Sequence, residues 1–363
     1  MRPDYTGASV AGVVPGLLGV RPVPWLPSCI EGAGTVVLLI LDGFGWRAIE
    51  GHRPILPVLA GMEGGPITTV VPSTTAAALT SIATGSPPAA HGLVGYRMLV
   101  GGLVLDVLRW KVPAGRPPAP LAVADTVAFC GRPVPTVTRA EFIQTGFTEA
   151  HMQGARFVGW RTTATLVEHV RRLVDEGERF VYAYYDGVDK VAHEYGLGDG
   201  FLPAEMAATD RLVGDLLGVL PESAALVVTS DHGQVQFDEW VTLEALAPLV
   251  SAYAGDGRFR YLYARPGAEA ELVKAAEETF ADQAWVFGRE QLVAEGWLGP
   301  GPPAGDVLAR IGDVVLGAKG NVAFVDPTHP KETRLVAGHG SLTPEEMFVP
   351  LLAGRGRASR RTE

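Results

Sequence analysis

TVVLLILDG, residues 35–43, sets an unbroken run of apolar and β-branched residues against an acidic residue and a glycine. The run shows no polar alternation, so it reads as a strand covered on both faces, as in a parallel sheet. Two later stretches repeat the pattern. Phe180–Tyr185 (FVYAYY) leads into Asp186-Gly187, and Ala224–Thr229 (AALVVT) leads through Ser230 into Asp231-His232-Gly233. Helical periodicity separates them: Thr163–Glu176 places Leu166, Val167, Val170, Leu173 and Val174 on one face, and Ala204–Leu220 does so with Leu212, Val213, Leu216, Leu217 and Leu220. The alternation predicts an α/β fold with a doubly wound, mostly parallel sheet flanked by helices. In such sheets ligands bind beyond the carboxyl ends of the strands, where the three acidic tips would gather.

Two stretches break the alternation. Arg97–Trp110 reads as a hairpin turning at Gly101-Gly102. Residues 241–335 change character, with a strand-like FRYLYA, a helix near Ala268–Phe280 and the loop GPGPPAG. We take residues 1–240 and 336–363 as the core and 241–335 as a smaller inserted α+β lobe. The lobe is expected to cover the cleft and shape substrate choice.

The bulk composition narrows the function. Among 363 residues, 47% are apolar and 19% charged, ample for a packed core and a poor fit to disorder or coiled coil. The formal charge of −10, with no long basic run, argues against an extended nucleic-acid partner, whose binding needs cationic neutralisation of phosphates. Two cysteines, Cys29 and Cys130, cannot build a disulfide scaffold or a thiolate zinc cluster. The first 25 residues, interrupted by Pro15 and Arg21, make a poor signal peptide, and no run approaches the roughly 18 to 20 apolar residues that span a bilayer. The expectation is a cytoplasmic protein without a membrane partner.

The chemistry sits in scattered carboxylates and imidazoles. Asp42 follows the first strand, Asp189 and His193 lie in DGVDKVAHEYG, Asp231 and His232 in TSDHG, and His339 in AGHGS. Three Asp and three His beside glycines suit one or two divalent cations with nitrogen and oxygen ligands. Asp189 and His193, four apart, would share one side of a helical turn. Any one fragment alone is more often a solvated turn or a surface pair; their recurrence after strands is what carries the inference. A second signal is VPSTTAAALTSIATG, residues 71–85. Ser73, Thr74 and Thr75 could simply cap the helix that follows. A helix N-terminus also draws anions, and a threonine hydroxyl beside a cation would become a nucleophile aimed at phosphorus.

Together, LDGFGW, PSTTAAALTSIATG, the His91-Gly92 pair, DKVAHEYG, SDHG and GHGSLTPEEMFVPLL resemble the alkaline phosphatase superfamily, in particular its nucleotide pyrophosphatase/phosphodiesterase branch. The resemblance runs from about residue 36 to 353 and covers the lobe poorly. It implies a hydrolase with two divalent metal ions, zinc or else manganese, and a covalent phosphoryl intermediate on Thr75, with Thr74 as the fallback. It further implies one ion on Asp189, His193 and His339, and the other on Asp42, Asp231, His232 and the Thr75 oxygen. The substrate would be a small phosphate ester or nucleotide. Two positions depart from the branch: Tyr96 stands where an Asn usually holds a phosphate oxygen, followed by Arg97, and Ala77-Ala78 replace a Pro-Asn. Tyr96 and Arg97 are therefore candidate substrate contacts, each set against a packing or surface role. His91 is expected to make a structural hydrogen bond. The competing functions are a phosphomonoesterase, a phosphosugar mutase, and, from another class, a metal-stabilised binding protein that has lost catalysis. A sulfatase would need a C-x-P-x-R context that neither cysteine has.

Overall fold

The computed structural model describes residues 1–198 and 200–358. Seven strands form the main sheet: β1 (Thr35–Leu41), β2 (Glu63–Thr68), β3 (Pro135–Arg139), β4 (Arg156–Trp160), β5 (Phe180–Tyr185), β6 (Ala224–Thr229) and β7 (Phe348–Arg355). Their order is β2-β7-β6-β1-β5-β3-β4. β1 lies between β5 and β6 and runs parallel to both, with Leu38 opposite Tyr182 on one side and Val227 on the other. The three apolar runs are thus adjacent, and their acidic tips emerge at one sheet edge. β7 is antiparallel to both of its neighbours, β2 and β6, which makes the sheet mixed but mostly parallel.

Helices cover both faces: α1 (Val10–Leu17), α2 (Thr75–Thr84), α3 (Thr163–Asp175), α4 (Gly187–Tyr195) and α5 (Phe201–Val219). Alternate β1 residues feed two separate cores. Leu38 and Ile40 pack with α1 and α2, while Val37, Leu39 and Leu41 pack with α3 and α5. That division is why the sequence of β1 shows no polar alternation. α3 begins at a reciprocal cap between Thr162 and Thr165. α5 starts at Phe201, three residues before the periodicity shows it, because Pro203 is tolerated in a first helical turn.

Arg97–Val100 and Leu103–Asp106 form the expected hairpin, with Gly101 and Gly102 both at positive φ. Within residues 241–335 lies a four-stranded antiparallel sheet ordered 250–255, 259–264, 314–318, 284–288, backed by the helix Glu269–Phe280. Leu262, Leu272 and Val314 make its own small core, whereas Phe259, Tyr261 and Tyr263 reach into the core around α1 and α2. After this sheet, Ala337–Gly338 pairs with Val235–Gln236, which carries the following residue, His339, to the end of β6. Among the described residues, no helix is long and apolar enough to cross a membrane.

Candidate metal centre

Strand ends and two helix starts deliver the titratable side chains to one place. Asp42 leaves β1, Asp231 and His232 leave β6, and all three are buried. One ligand atom from each lies within 4.8 Å of the others. His232 Nε2 is 3.4 Å from Asp42 Oδ1, 3.3 Å from Asp231 Oδ2 and 3.1 Å from Thr75 Oγ1. The remaining oxygens are already engaged. Asp42 Oδ2 accepts from the Tyr184 hydroxyl, and Asp231 Oδ1 accepts from the Gly43 and His232 amides at 3.2 and 3.1 Å. Asp42 Oδ1 and Asp231 Oδ2 are left buried with no hydrogen-bond partner.

Asp189, His193 and His339 make a second group whose ligand atoms also lie within 4.8 Å of one another. Asp189 and His193 sit one turn apart on α4, with His193 Nε2 3.3 Å from Asp189 Oδ1. His339 Nε2 is 3.8 Å from the same oxygen. The His232 and His339 rings stack at 3.4 Å between centroids, so the two groups adjoin.

The hydrogen bonds of these residues fit metal binding. Each histidine has Nδ1 at a backbone carbonyl: His232 at Gly233 O (3.1 Å), His193 at Ala337 O (2.7 Å) and His339 at Ser73 O (2.9 Å). Donation from Nδ1 fixes the tautomer and turns the Nε2 lone pair towards the carboxylates. A lone pair facing two unpartnered carboxylate oxygens is repulsive unless a positive charge lies between them. Burial, and then the charges of Asp231 and Asp189, push Asp42 well above the usual carboxylate range, and burial raises Asp231 too. Burial, together with the stacked His232, holds His339 well below the ordinary imidazole value, so it is a neutral donor. His193 goes the other way: burial opposes it, but Asp189 lifts it to about 9. Binding a cation there displaces that proton.

Thr75 is the first residue of α2, where the amides of the opening turn have no partner within the helix. The capping alternative does not describe its neighbours. Thr74 is the N-cap residue but its side chain makes no capping bond, and the Ser73 hydroxyl donates to Ser341 O at 2.7 Å. Ser73 thereby ties the Thr75 turn to the loop carrying His339.

A family model described as type I phosphodiesterase / nucleotide pyrophosphatase matches residues 36–342. The chain belongs to that family. This phosphodiesterase-family protein, a member of the alkaline phosphatase superfamily, shares its fold with solved structures of low identity. Ectonucleotide pyrophosphatase/phosphodiesterase 5 from mouse, an inactive variant in complex with AMP, matches at a TM-score of 0.66 and 14% identity, covering 88% of this chain and 87% of that one. The human counterpart matches at 0.65 and 15%, covering 90% of each. Phosphonoacetate hydrolase from Sinorhizobium meliloti 1021, in complex with phosphonoformate, matches at 0.60 and 20%, covering 94% of this chain and 92% of that one. A search of curated proteins finds no match.

Two candidates in this phosphodiesterase-family chain are not brought to the metal groups, and the expectation for them is corrected. Arg97 is buried, not outward on its hairpin. Its guanidinium pairs with Asp326 at 2.8 Å and Glu332 at 2.5 Å, contacts made possible by a segment more than 200 residues further along the chain packing on the hairpin. The Tyr96 hydroxyl donates to Asp106 Oδ2 at 3.2 Å. The Tyr96 proton and the three nitrogens of the Arg97 guanidinium are thus engaged away from the metal groups. Asp186 pairs with Arg139 and Lys190, both at 2.6 Å, and Trp46 is packed in the core. His91 meets Ser81 Oγ at 2.9 Å and accepts the Leu93 amide, the structural role expected of it. Sequence reasoning missed Tyr184, which holds Asp42, and Gln234, which holds Asp189 Oδ1 at 2.5 Å. Tyr184 lies inside an apolar strand run, where nothing distinguishes its hydroxyl from core. Gln234 stands three residues past Asp231, a proximity that could have raised it.

Proposed function

We propose that this chain is a two-metal hydrolase that cleaves phosphodiesters or nucleotide pyrophosphates through a phosphothreonine intermediate on Thr75. The observation that carries this reading is the meeting of Thr75 Oγ1 and the free oxygens of Asp42 and Asp231 on a single lone pair, His232 Nε2. A threonine-to-alanine form of the mouse neighbour is inactive, which supports a threonine in this role. Asp42, Asp231, His232 and Thr75 would hold one ion, and Asp189, His193 and His339 the other, with zinc or manganese suiting such a nitrogen and oxygen set. Two divalent cations would supply the positive charge that phosphoryl transfer needs on its entering, departing and non-bridging oxygens.

The chain's own residues do the rest. The fixed Nδ1 hydrogen bonds keep the three imidazoles aimed, and the burial of Asp42 and Asp231 keeps water from competing for them. The free amides at the start of α2 face developing negative charge beside Thr75. Thr75 Oγ gives up its proton to solvent and attacks phosphorus. The Oγ–P bond forms, the P–O bond to the departing alcohol or phosphate breaks, and that group leaves with the electron pair. Water then breaks the Oγ–P bond and frees Thr75. Residues 241–335 act as an accessory lobe against the hairpin in this scheme.

The test compares wild type and Thr75→Ala on p-nitrophenyl phosphate and bis-p-nitrophenyl phosphate, with zinc and with chelator. Zinc-dependent diester turnover that the mutant lacks is the expected result. Turnover of the monoester alone would move the function to phosphatase, and no turnover of either would overturn the hydrolase assignment.

A further inference from the structure

A cavity of about 430 Å³ opens beside Thr75, between α2, the residue 142–152 segment and strands β3 and β5. Its walls include Leu79, Phe142, Phe147, Met152, Phe157 and Tyr184. The volume falls within the roughly 300–1,000 Å³ typical of small-molecule sites.

The polar groups on the walls are largely engaged with the protein itself. Thr148 Oγ1 donates to Phe142 O at 2.7 Å, and Thr145 Oγ1 accepts the Thr148 amide at 3.2 Å. Thr136 Oγ1 is directed to Val134 O at 3.4 Å, and the Tyr184 hydroxyl is taken by Asp42. The two cations at the rim are paired as well, Arg109 with Asp106 at 3.2 Å and Lys190 with Asp186 at 2.6 Å. His151 lies flat on Phe147, 3.9 Å between centroids, and its Nδ1 meets Phe147 O at 2.6 Å. Burial holds that imidazole down at about 4, so the ring is neutral. Among the described residues, the enclosed wall groups without a protein partner are His151 Nε2 and the hydroxyls of Thr138 and Tyr182, and at the exposed rim Arg109 keeps Nε and Nη2 uncommitted.

We propose that this cavity seats the ester group retained on phosphorus, and that it selects an uncharged aryl or similarly flat apolar group over a nucleoside. The inference rests on Thr75 being the nucleophile, and it narrows the proposed function to phosphodiesters rather than nucleotide pyrophosphates. In-line displacement places the departing oxygen opposite Thr75 Oγ. A group seated in a cavity that Thr75 itself walls therefore stays with the phosphoryl group. Aromatic walls receive a flat ring by offset or edge-to-face contact and remove its apolar surface from water. A nucleoside brings roughly half a dozen polar atoms, and each one buried without a partner weakens binding by about tenfold. The few unengaged wall groups cannot satisfy them, and no unpaired cation among the described residues lines the cavity to receive a second phosphate.

The test is calorimetric titration of zinc-loaded Thr75→Ala with phenyl phosphate, methyl phosphate and thymidine 5′-phosphate. Phenyl phosphate is expected to bind at least ~10-fold tighter than either of the others, a ratio that burial of one ring readily supplies. A smaller ratio, tighter binding of the thymidine ester, or no measurable binding of phenyl phosphate would overturn the proposal. Phe142→Ala, which removes one wall, and Thr138→Trp, which fills the space, are each expected to bring the phenyl-to-methyl ratio below about threefold. A ratio that survives in both variants would place the ring elsewhere. Because binding is read without turnover, failure of the hydrolase assignment leaves this ratio measurable, and equal binding leaves the diester assay standing.

Discussion

Tyr184→Phe removes a single hydroxyl and tests how the first metal group is built. That hydroxyl donates to Asp42 Oδ2, while Asp42 Oδ1 is the oxygen left free to face His232. The ring stays: Tyr184 is 8% exposed and lies 6.3 Å from Phe142, centroid to centroid, so packing is conserved. What is lost is one hydrogen bond to a buried carboxylate, Asp42 being 2% exposed. Such bonds contribute about 1.5–3 kcal/mol, and about 1.4 kcal/mol is a factor of ten. Part of that is recovered when the freed Oδ2 rotates towards a bound ion, so we expect a loss near 2 kcal/mol, or ~30-fold in affinity for one ion, within the range seen when a ligand's supporting partner is removed. The assay is competition for zinc between the apo-protein and a chromophoric chelator, read as two binding steps. One step is expected to weaken and the Asp189 step to hold. Two unchanged steps, or equal weakening of both, would refute the view that Tyr184 orients Asp42 for a separate ion.

Four further outcomes follow from the same geometry. Thr75→Ala should lower turnover by at least ~10³-fold while zinc content, measured by mass spectrometry, stays at the wild-type level. Asp231→Asn should lose one metal equivalent, because the only unpartnered oxygen it offers the group becomes half of a neutral amide; full metal content with full activity would contradict the ligand scheme. Arg258→Met should strand the buried Glu346 carboxylate, which Arg258 holds at 2.8 Å and which also accepts the Ser341 amide at 2.9 Å, next to the His339 loop. The expected cost is about 3–5 kcal/mol in urea unfolding, largely restored in Arg258→Met/Glu346→Leu. Tyr96→Phe should leave kcat/KM within about twofold, since its hydroxyl serves Asp106 rather than the metal groups.

Much of the centre is legible in the sequence because parallel strands buried on both faces leave a distinctive mark. β1, β5 and β6 span the same residues as the apolar runs, and their carboxyl-end tips carry Asp42 and Asp231. The four-residue spacing of Asp189 and His193 is local to one helix and equally readable. β2, β3 and β4 are shorter or more polar, with Glu63, Gly64 and Gly65 opening β2, and carry no such mark. The antiparallel course of β7 follows from where the chain re-enters after residues 241–335, which no periodicity encodes.

By itself the sequence determined the sheet's central strands, the inventory of three aspartates and three histidines, and the threonine at a helix start. Those are set by backbone preference and apolar patterning over a few residues, which act locally. Tertiary structure decided everything that depends on which distant groups meet. It brought His339 beside His232 across a hundred residues of intervening chain, chose Nε2 over Nδ1 on each ring through carbonyls at Gly233, Ala337 and Ser73, and gave Asp42 to Tyr184. It also buried Arg97 in ion pairs by supplying Asp326 and Glu332 from a distant part of the chain. A guanidinium looks the same in sequence whether free or paired, because its partner's charge acts through space and not along the chain.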